Sequence, residues 1–442
     1  MSPPAIALAL ALAASPAPAT PPAPAEPQRV LTLEEALRIG RTRQPALRQA
    51  RAASEAARAR VDQSFSSLLP QITGNGQYQR YATSAAAAGS AAAGSGGSAL
   101  VGRTTSPQDL FSFGVNGRLL LYDFGLTTGH WRAAEASSSA QEQSERGTSQ
   151  SVALNIRNAY FNAVASKALV SVARDTLANE QKHLEQIRGF VEVGTRPRID
   201  LVSEQANYAN SRVRLIQSEN GYATARVQVE QAIGATDLGP WQVAETALPP
   251  VQGEESAPQV LLEEAIRARP DIAALEQQVR AQELTVRSLQ GGYGPSLSLS
   301  GGASESGPAT SDLGPAWNAT LSLSWPLYQG GLTRAQVREA SANQSALEAQ
   351  VEQLRQQVRL EVEQARLGVV AAVATLDAAR DASLAARERL TLAEGRYQTG
   401  VGSVLELSDA QLALTTALGQ QVQSEFQLAT ARSQLLRALG RE

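Results

Sequence analysis

The chain is written twice, and this duplication limits its fold more than any other feature. Leu33-Glu34-Glu35-Ala36-Leu37 returns as Leu262-Glu263-Glu264-Ala265-Ile266. Each copy is soon followed by a proline that opens a further helical run, Pro45-Ala46-Leu47 and Pro270-Asp271-Ile272. Leu121-Tyr122 with Gly125 returns 206 positions later as Leu327-Tyr328 with Gly331. The same offset relates Gly189 to Gly395, Gly194 to Gly400, Asp200 to Glu406, Leu201 to Leu407 and Gln205 to Gln411. A constant offset leaves no room for a net insertion, so both copies must build one long element at one length. The first repeat is set at residues 26–234, a linker at 235–260 and the second repeat at 261–442.

That element reads as helix. Ile156, Ala163, Val170, Leu177, Leu184 and Val191 recur every seven residues. Val362, Val369, Leu376, Leu390 and Tyr397 hold the matching places in the second copy, with Ser383 the exception, and an alanine row runs from Ala365 to Ala393. A strict seven-residue repeat drives a left-handed supercoil, and the small residues permit close approach. Helices are expected over about Thr127 to Phe190 and Thr333 to Gln398. Each would be roughly 100 Å long at 1.5 Å per residue. Both end at glycine-marked turns, Gly194-Thr195-Arg196-Pro197 and Gly400-Val401-Gly402-Ser403, and return as shorter helices, Ile199 to Ile233 and Val404 to Leu439. Helices over Ala46 to Leu68 and Asp271 to Gln290 would complete four columns, with the linker and the short Leu33 and Leu262 helices at mid-height.

Between the helices lie segments of period two, expected as strands near 70–81, 111–124, 295–304 and 316–327. Trp317, Ala319, Leu321, Leu323 and Trp325 alternate with Asn318, Thr320, Ser322 and Ser324. Phe111, Phe113 and Val115 alternate with Ser112, Gly114 and Asn116, and Tyr78 closes a weaker alternation begun at Ile72. A tilted strand between Trp317 and Trp325 would rise roughly 20 Å, near the height of a barrel's apolar band between aromatic girdles. Trp317, Trp325, Phe111 and Tyr78 are therefore the candidate girdle. The Gly/Ala/Ser-rich stretches Ala82 to Arg103 and Ala303 to Gly314 read as surface loops. Four strands cannot close a barrel. Three chains giving twelve strands and twelve helical columns are the economical solution: an α+β membrane protein, with a trimeric β-barrel continuous with an α-barrel.

Composition agrees. Ala5 to Ala14 is an apolar run followed by small residues, as in an export signal cleaved after Ala19 or Ala25. Cysteine is absent and only His130 and His183 are present, which disfavours disulfide frameworks, metal centres and cofactors bound through thiolates. A net charge of −3 gives no basic surplus for nucleic acid. No Gly-x-Ser-x-Gly or P-loop motif occurs, so no enzyme is expected.

From Leu31 to the C-terminus the chain resembles the TolC-like outer-membrane efflux proteins. The duplicated Leu-Glu-Glu-Ala openings, the Leu-Tyr-x-x-Gly steps and the Gly-x5-(Asp/Glu)-Leu turns, in this order, carry the resemblance. It implies a homotrimeric exit duct through outer-membrane lipid and periplasm, for drugs, metals or polypeptides. Its implied partners are a periplasmic membrane-fusion adaptor and an inner-membrane pump of RND, ABC or MFS type. It also implies an acidic constriction, matched by Glu406 and Asp409, and a tip tyrosine, matched by Tyr397. Where the family often carries a basic residue this chain has Gly402, while Arg196 and Arg198 stand in the first half, so the lock between hairpins is expected to be rewired. The adaptor is expected at Gly194, Thr195, Arg196, Gly400, Val401, Gly402 and Ser403, with Gly402 dispensable for the turn.

Several of these residues also admit plainer roles. Asp200 is a constriction candidate, yet a carboxylate in a first helical turn also complements the helix dipole. His130-Trp131 reads as an interfacial anchor and His183 as part of a solvated face. A secreted or periplasmic coiled-coil scaffold would share the heptads; the amphipathic strand pairs argue against it.

Overall fold

Proline sets the first helix boundaries. In the computed structural model, which describes residues 29–84, 105–235, 237–245 and 249–441, a short strand β1 (Arg29–Leu31) leads into α1 (Leu33–Arg43) and α2 (Pro45–Ser66). The expected export signal lies outside the described residues. Gln44 is extended at φ −62° and ψ 121° because the ring of Pro45 disfavours helical backbone before it, and Pro45 then starts α2. The chain continues through β2 (Gln71–Ser84), β3 (Thr105–Tyr122), α3 (Leu126–Glu192), α4 (Arg198–Ile233) and a short β4 (Trp241–Val243). The same step at Arg269-Pro270 separates α5 (Pro258–Ala268) from α6 (Pro270–Gly291). Then follow β5 (Ser296–Ala309), β6 (Asp312–Ser324), α7 (Leu332–Gln398) and α8 (Val404–Ala438). Both α3 and α7 have 67 residues, and each is capped by a glycine in the left-handed region, Gly125 at φ 86° and Gly331 at φ 85°.

The helices form four columns. α2 and α4 flank α3 on one side, and α6 and α8 fill the space between α3 and α7. α2 starts where α4 ends: Gln44 Nε2 donates to the Ala232 carbonyl at 2.8 Å, and Gly234 has no room for a side chain against Gln44 and Pro45. Gly440, just past α8, meets the start of α6 in the same way. Two apolar cores lie near the midpoints of the long helices. In one, Leu31, Ala36, Trp241 and Val243 pack on Ile156 and Tyr160 of α3 and Val229 of α4. In the other, Val251, Leu261 and Ala265 pack on Val358 and Val362 of α7 and Leu435 of α8. The linker is anchored there: β4 pairs parallel with β1, and the Trp241 indole donates to Glu230 at 2.8 Å.

The other strands form one antiparallel sheet in the order β2-β3-β5-β6, with β2 and β6 as unpaired edges. Among the described residues no helix is long and apolar enough to cross a membrane.

The structure corrects one expected loop. Residues 303–314 are not a loop. β5 and β6 stay paired up to Ala309 and Asp312, leaving a turn at Thr310 and Ser311. Register set lower in the hairpin propagates through small Ser, Gly and Ala residues that fit either face, and two residues suffice to reverse the chain. Of the other expected loop, 82–84 belong to β2, and 85–104 lie outside the described residues.

Candidate functional site

The sheet separates two surfaces. On one face Ile72, Val115, Leu119, Leu297, Leu299, Leu321, Leu323 and Trp317 align through the strand register. The other carries Gln71, Thr73, Asn75, Asn116, Arg118, Ser300, Asn318 and Thr320, and Asn116 Nδ2 donates to Asn75 Oδ1 at 2.8 Å. The apolar face is bounded by aromatic rings. Tyr78 and Phe111 pair at 4.9 Å, and beyond them the same face becomes charged, with Arg80 3.6 Å from Asp109. Beyond the Ala303–Trp317 pair the next residue of that face on β5 is Glu305. Trp325, one residue past β6, donates its indole N–H to the Tyr293 carbonyl at 3.1 Å.

At the opposite end, about 100 Å away along the helices, the two hairpin tips pack together. The Arg196 guanidinium lies 4.6 Å above the Tyr397 ring and donates to the Tyr397 carbonyl at 3.4 Å. Phe190 meets the same ring edge-on at 6.3 Å, over a small core of Ile187, Leu390, Leu407 and Ala410. Tyr397 is buried; its burial pushes the phenol up, the carboxylates of Asp200 and Glu204 act the same way, and Arg196 opposes them. Ser403 caps α8 by accepting the Glu406 N–H at 3.1 Å, and Glu406 Oε1 forms an ion pair with Arg396, 3.1 Å from its Nε. Asp409, one turn on, is exposed.

The family described as outer membrane efflux protein matches residues 38–235 and 261–441. This chain belongs to the outer membrane efflux protein family. It is therefore an outer-membrane protein of efflux, extending into the periplasm, and not an enzyme. It is similar to the outer membrane efflux protein BepC of Brucella suis, 25% identical over 333 residues, covering 74% of this chain and 72% of BepC. Toward the probable efflux pump outer membrane protein TtgC of Pseudomonas putida it is 25% identical over 379 residues, covering 84% and 75% of the two chains. Its fold matches the crystal structure of the Campylobacter jejuni CmeC outer membrane channel with a TM-score of 0.79 at 18% identity, over 92% of this chain and 85% of that one.

The structure distributes the expected site residues unevenly. Tyr397 and Arg196 come together; Arg198 is exposed at the start of α4, without a hydrogen bond or ion pair among the described residues. Asp200 lies within electrostatic reach of Tyr397, and among the described residues no ion pair or hydrogen bond joins it to Glu406 or Asp409. Gly402 is closely packed, against the expectation that it is spare. It is buried, its N–H donates to the Arg396 carbonyl at 2.8 Å, and a Cβ there would sit 3.0 Å from the Tyr397 nitrogen. Gly194 and Gly400 serve the turn through φ of 79° and 80°, and exposed Val401 and Thr195 form the accessible tip.

His183 is not on a solvated face. It is buried, with Nε2 3.5 Å from Glu394 on α7, because α3 is covered on both sides in its lower half. Trp131 packs at a tilt against Phe65 of α2, ring centres 5.4 Å apart, which ties it to the protein. Sequence reading also missed the buried Glu180 and Glu204. The signal was available: Glu204, Ser211, Ser218 and Ala225 recur every seven residues, a small-residue seam headed by a carboxylate.

Proposed function

We propose that three copies of this chain close a passive exit duct, with a twelve-stranded barrel in the outer membrane and a twelve-column helical tube in the periplasm. The open four-stranded sheet, apolar on one face and polar on the other, carries the proposal. An unpaired edge inside lipid leaves backbone groups without partners, so β6 of one chain must pair with β2 of the next. Trp317, Trp325, Phe111 and Tyr78 would then mark the lipid boundary.

The helices point the same way. α4 and α7 lie at the two flanks of the tip-end layer and carry exposed apolar rows that none of the described residues covers. On α4, Ile199, Ala206 and Val213 recur every seven residues, as do Val202, Ala209 and Ile216; on α7, Leu360, Leu367, Val370, Leu384 and Leu392 are exposed. Packing α4 of one protomer on α7 of the next buries both rows and closes the ring. The matching halves are read as an internal duplication, since the two matched segments carry the same element order.

In such a tube Glu406 and Asp409 form the acidic constriction at the periplasmic end, and the Arg196–Tyr397 contact holds the hairpins together above it. Thr195 and Val401, with the turns at Gly194 and Gly400, face an adaptor that joins the duct to an inner-membrane pump. Conductance in planar bilayers tests this reading. The trimer should give discrete cation-selective steps, and replacing both Glu406 and Asp409 with Ala should raise conductance and weaken selectivity. A protein that inserts without conducting contradicts the proposal. Val401→Trp should leave conductance intact while abolishing export through the adaptor and pump; normal export would remove the tip from the docking surface.

A further inference from the structure

Just above the tips, the two hairpins meet on a polar layer that the conduit reading does not use. Glu180 of α3 and Glu204 of α4 are 8% and 2% exposed, and each lies within electrostatic reach of the other. Glu180 Oε2 and Glu204 Oε1 find no donor among the described residues. Two neighbouring carboxyl groups, buried and short of donors, favour keeping a proton on one of them. The other oxygen of Glu204 accepts from Asn207 Nδ2 at 3.2 Å, and that amide also donates to Ser408 Oγ of α8 at 3.2 Å. Glu204 thus reaches the second hairpin through Asn207, and it lies close enough to Tyr397 to act on the phenol.

The surroundings leave the pair short of positive charge. From α3 comes His183, whose Nε2 faces Glu394 of α7 and whose Nδ1 has no partner among the described residues. α4 adds Arg214, the cation acting on Glu180, and, nearer Tyr397, Asp200. α7 presents Tyr397, whose hydroxyl is unpartnered, with Arg196 over its ring. α8 contributes the uncharged Ser408 and, on the next turn, the buried Gln411. Burial pushes Glu180 up to about 8, the neighbouring Glu204 adds to this, and Arg214 opposes.

We propose that Glu180 and Glu204 form a proton-binding site that fastens the first hairpin to the second, so that acid tightens the tips and alkali loosens them. This rests on the proposed role of the Arg196–Tyr397 contact in holding the hairpins together, with the tips parting where that contact is lost. In parted tips both carboxyls are hydrated and ionise in their ordinary range, near about 4.3. In packed tips one proton is retained up to about 8. Between those values the packed state binds more protons. Its population relative to the parted state is therefore greatest in acid and falls by up to about tenfold per pH unit as pH rises through the window.

The experiment is single-channel recording of the full-length trimer from about pH 5 to about pH 9, spanning that window. It is done in a background where Glu406 and Asp409 are replaced by Gln, so that the constriction cannot titrate. The open fraction should rise with pH. Glu180→Gln, an uncharged isostere, should hold the open fraction at its acid value throughout. A pH slope that survives Glu180→Gln overturns the proposal. Infrared titration of the unsubstituted trimer is the second arm: a neutral carboxyl stretch should persist at pH 7 and vanish in Glu180→Gln. If no neutral carboxyl exists at pH 7, the site does not hold a proton and the proposal fails, whether or not the variants assemble. Arg196→Ala separates the underlying reading, because an unchanged open fraction in that variant contradicts the tip contact while leaving the carboxyl band in place.

Discussion

Glu406 and Asp409 stand one helical turn apart on α8, yet their charges are not equivalent. Glu406 is paired with Arg396 at the end of α7, whereas among the described residues Asp409 has no cationic partner. The exposed Asp409 should therefore set more of the field at the constriction. Asp409→Ala is expected to reduce cation selectivity in bilayers more than Glu406→Ala; equal losses would mean that Arg396 does not offset Glu406 in the assembled channel. Sequence alone marks both carboxylates, because their place after the Gly400 turn is fixed by the repeat. It does not reveal Arg396, since the ion pair depends on how the helix end meets the next first turn. Nor does it reveal that Gly402 is packed, because two glycines in one turn look alike until the backbone shows which has φ of 80° and which has no space.

At the scale of elements, the sheet allows a paired test. Leu321 and Thr320 are neighbours on β6 and face opposite sides. Leu321 lies midway between Trp317 and Trp325, so an arginine there should cost about 2–4 kcal/mol against a lipid background, while Thr320→Arg on the polar face should cost little. Urea titration of the protein folded into vesicles measures the difference, and equal costs would mean that the apolar face does not meet lipid. The long helices were legible almost to the residue. Heptads name the helix, glycines name its ends, and the second copy checks the first. The buried seam was legible only in part. In α7 the expected row is buried throughout, but in the lower half of α3 burial passes from Leu177 and Leu184 to Glu180, His183 and Ile187. The cause is that α3 there has neighbours on both flanks, α4 and α8, and periodicity cannot say which stripe faces which neighbour. The β5–β6 hairpin was misread because Gly, Ser and Ala are shared by loops and by strands whose faces carry little bulk.

For the whole molecule, the central claim is that one chain is an incomplete object. Among the described residues its sheet ends in two free edges and its flanking helices leave apolar rows uncovered, and in the proposed trimer its tip carboxylates would make a ring. With four strands per chain, three copies give a barrel wide enough to hold water, whereas four strands alone cannot close. Membership of the outer membrane efflux protein family agrees with this, and the chain covers most of the length of the channels that it resembles. The most direct test is the native mass of the particle extracted from membranes in mild detergent. The account predicts a mass of three chains, the 442 residues of each amounting to 46.6 kDa. A particle containing a single chain, stable without lipid or detergent, would contradict it.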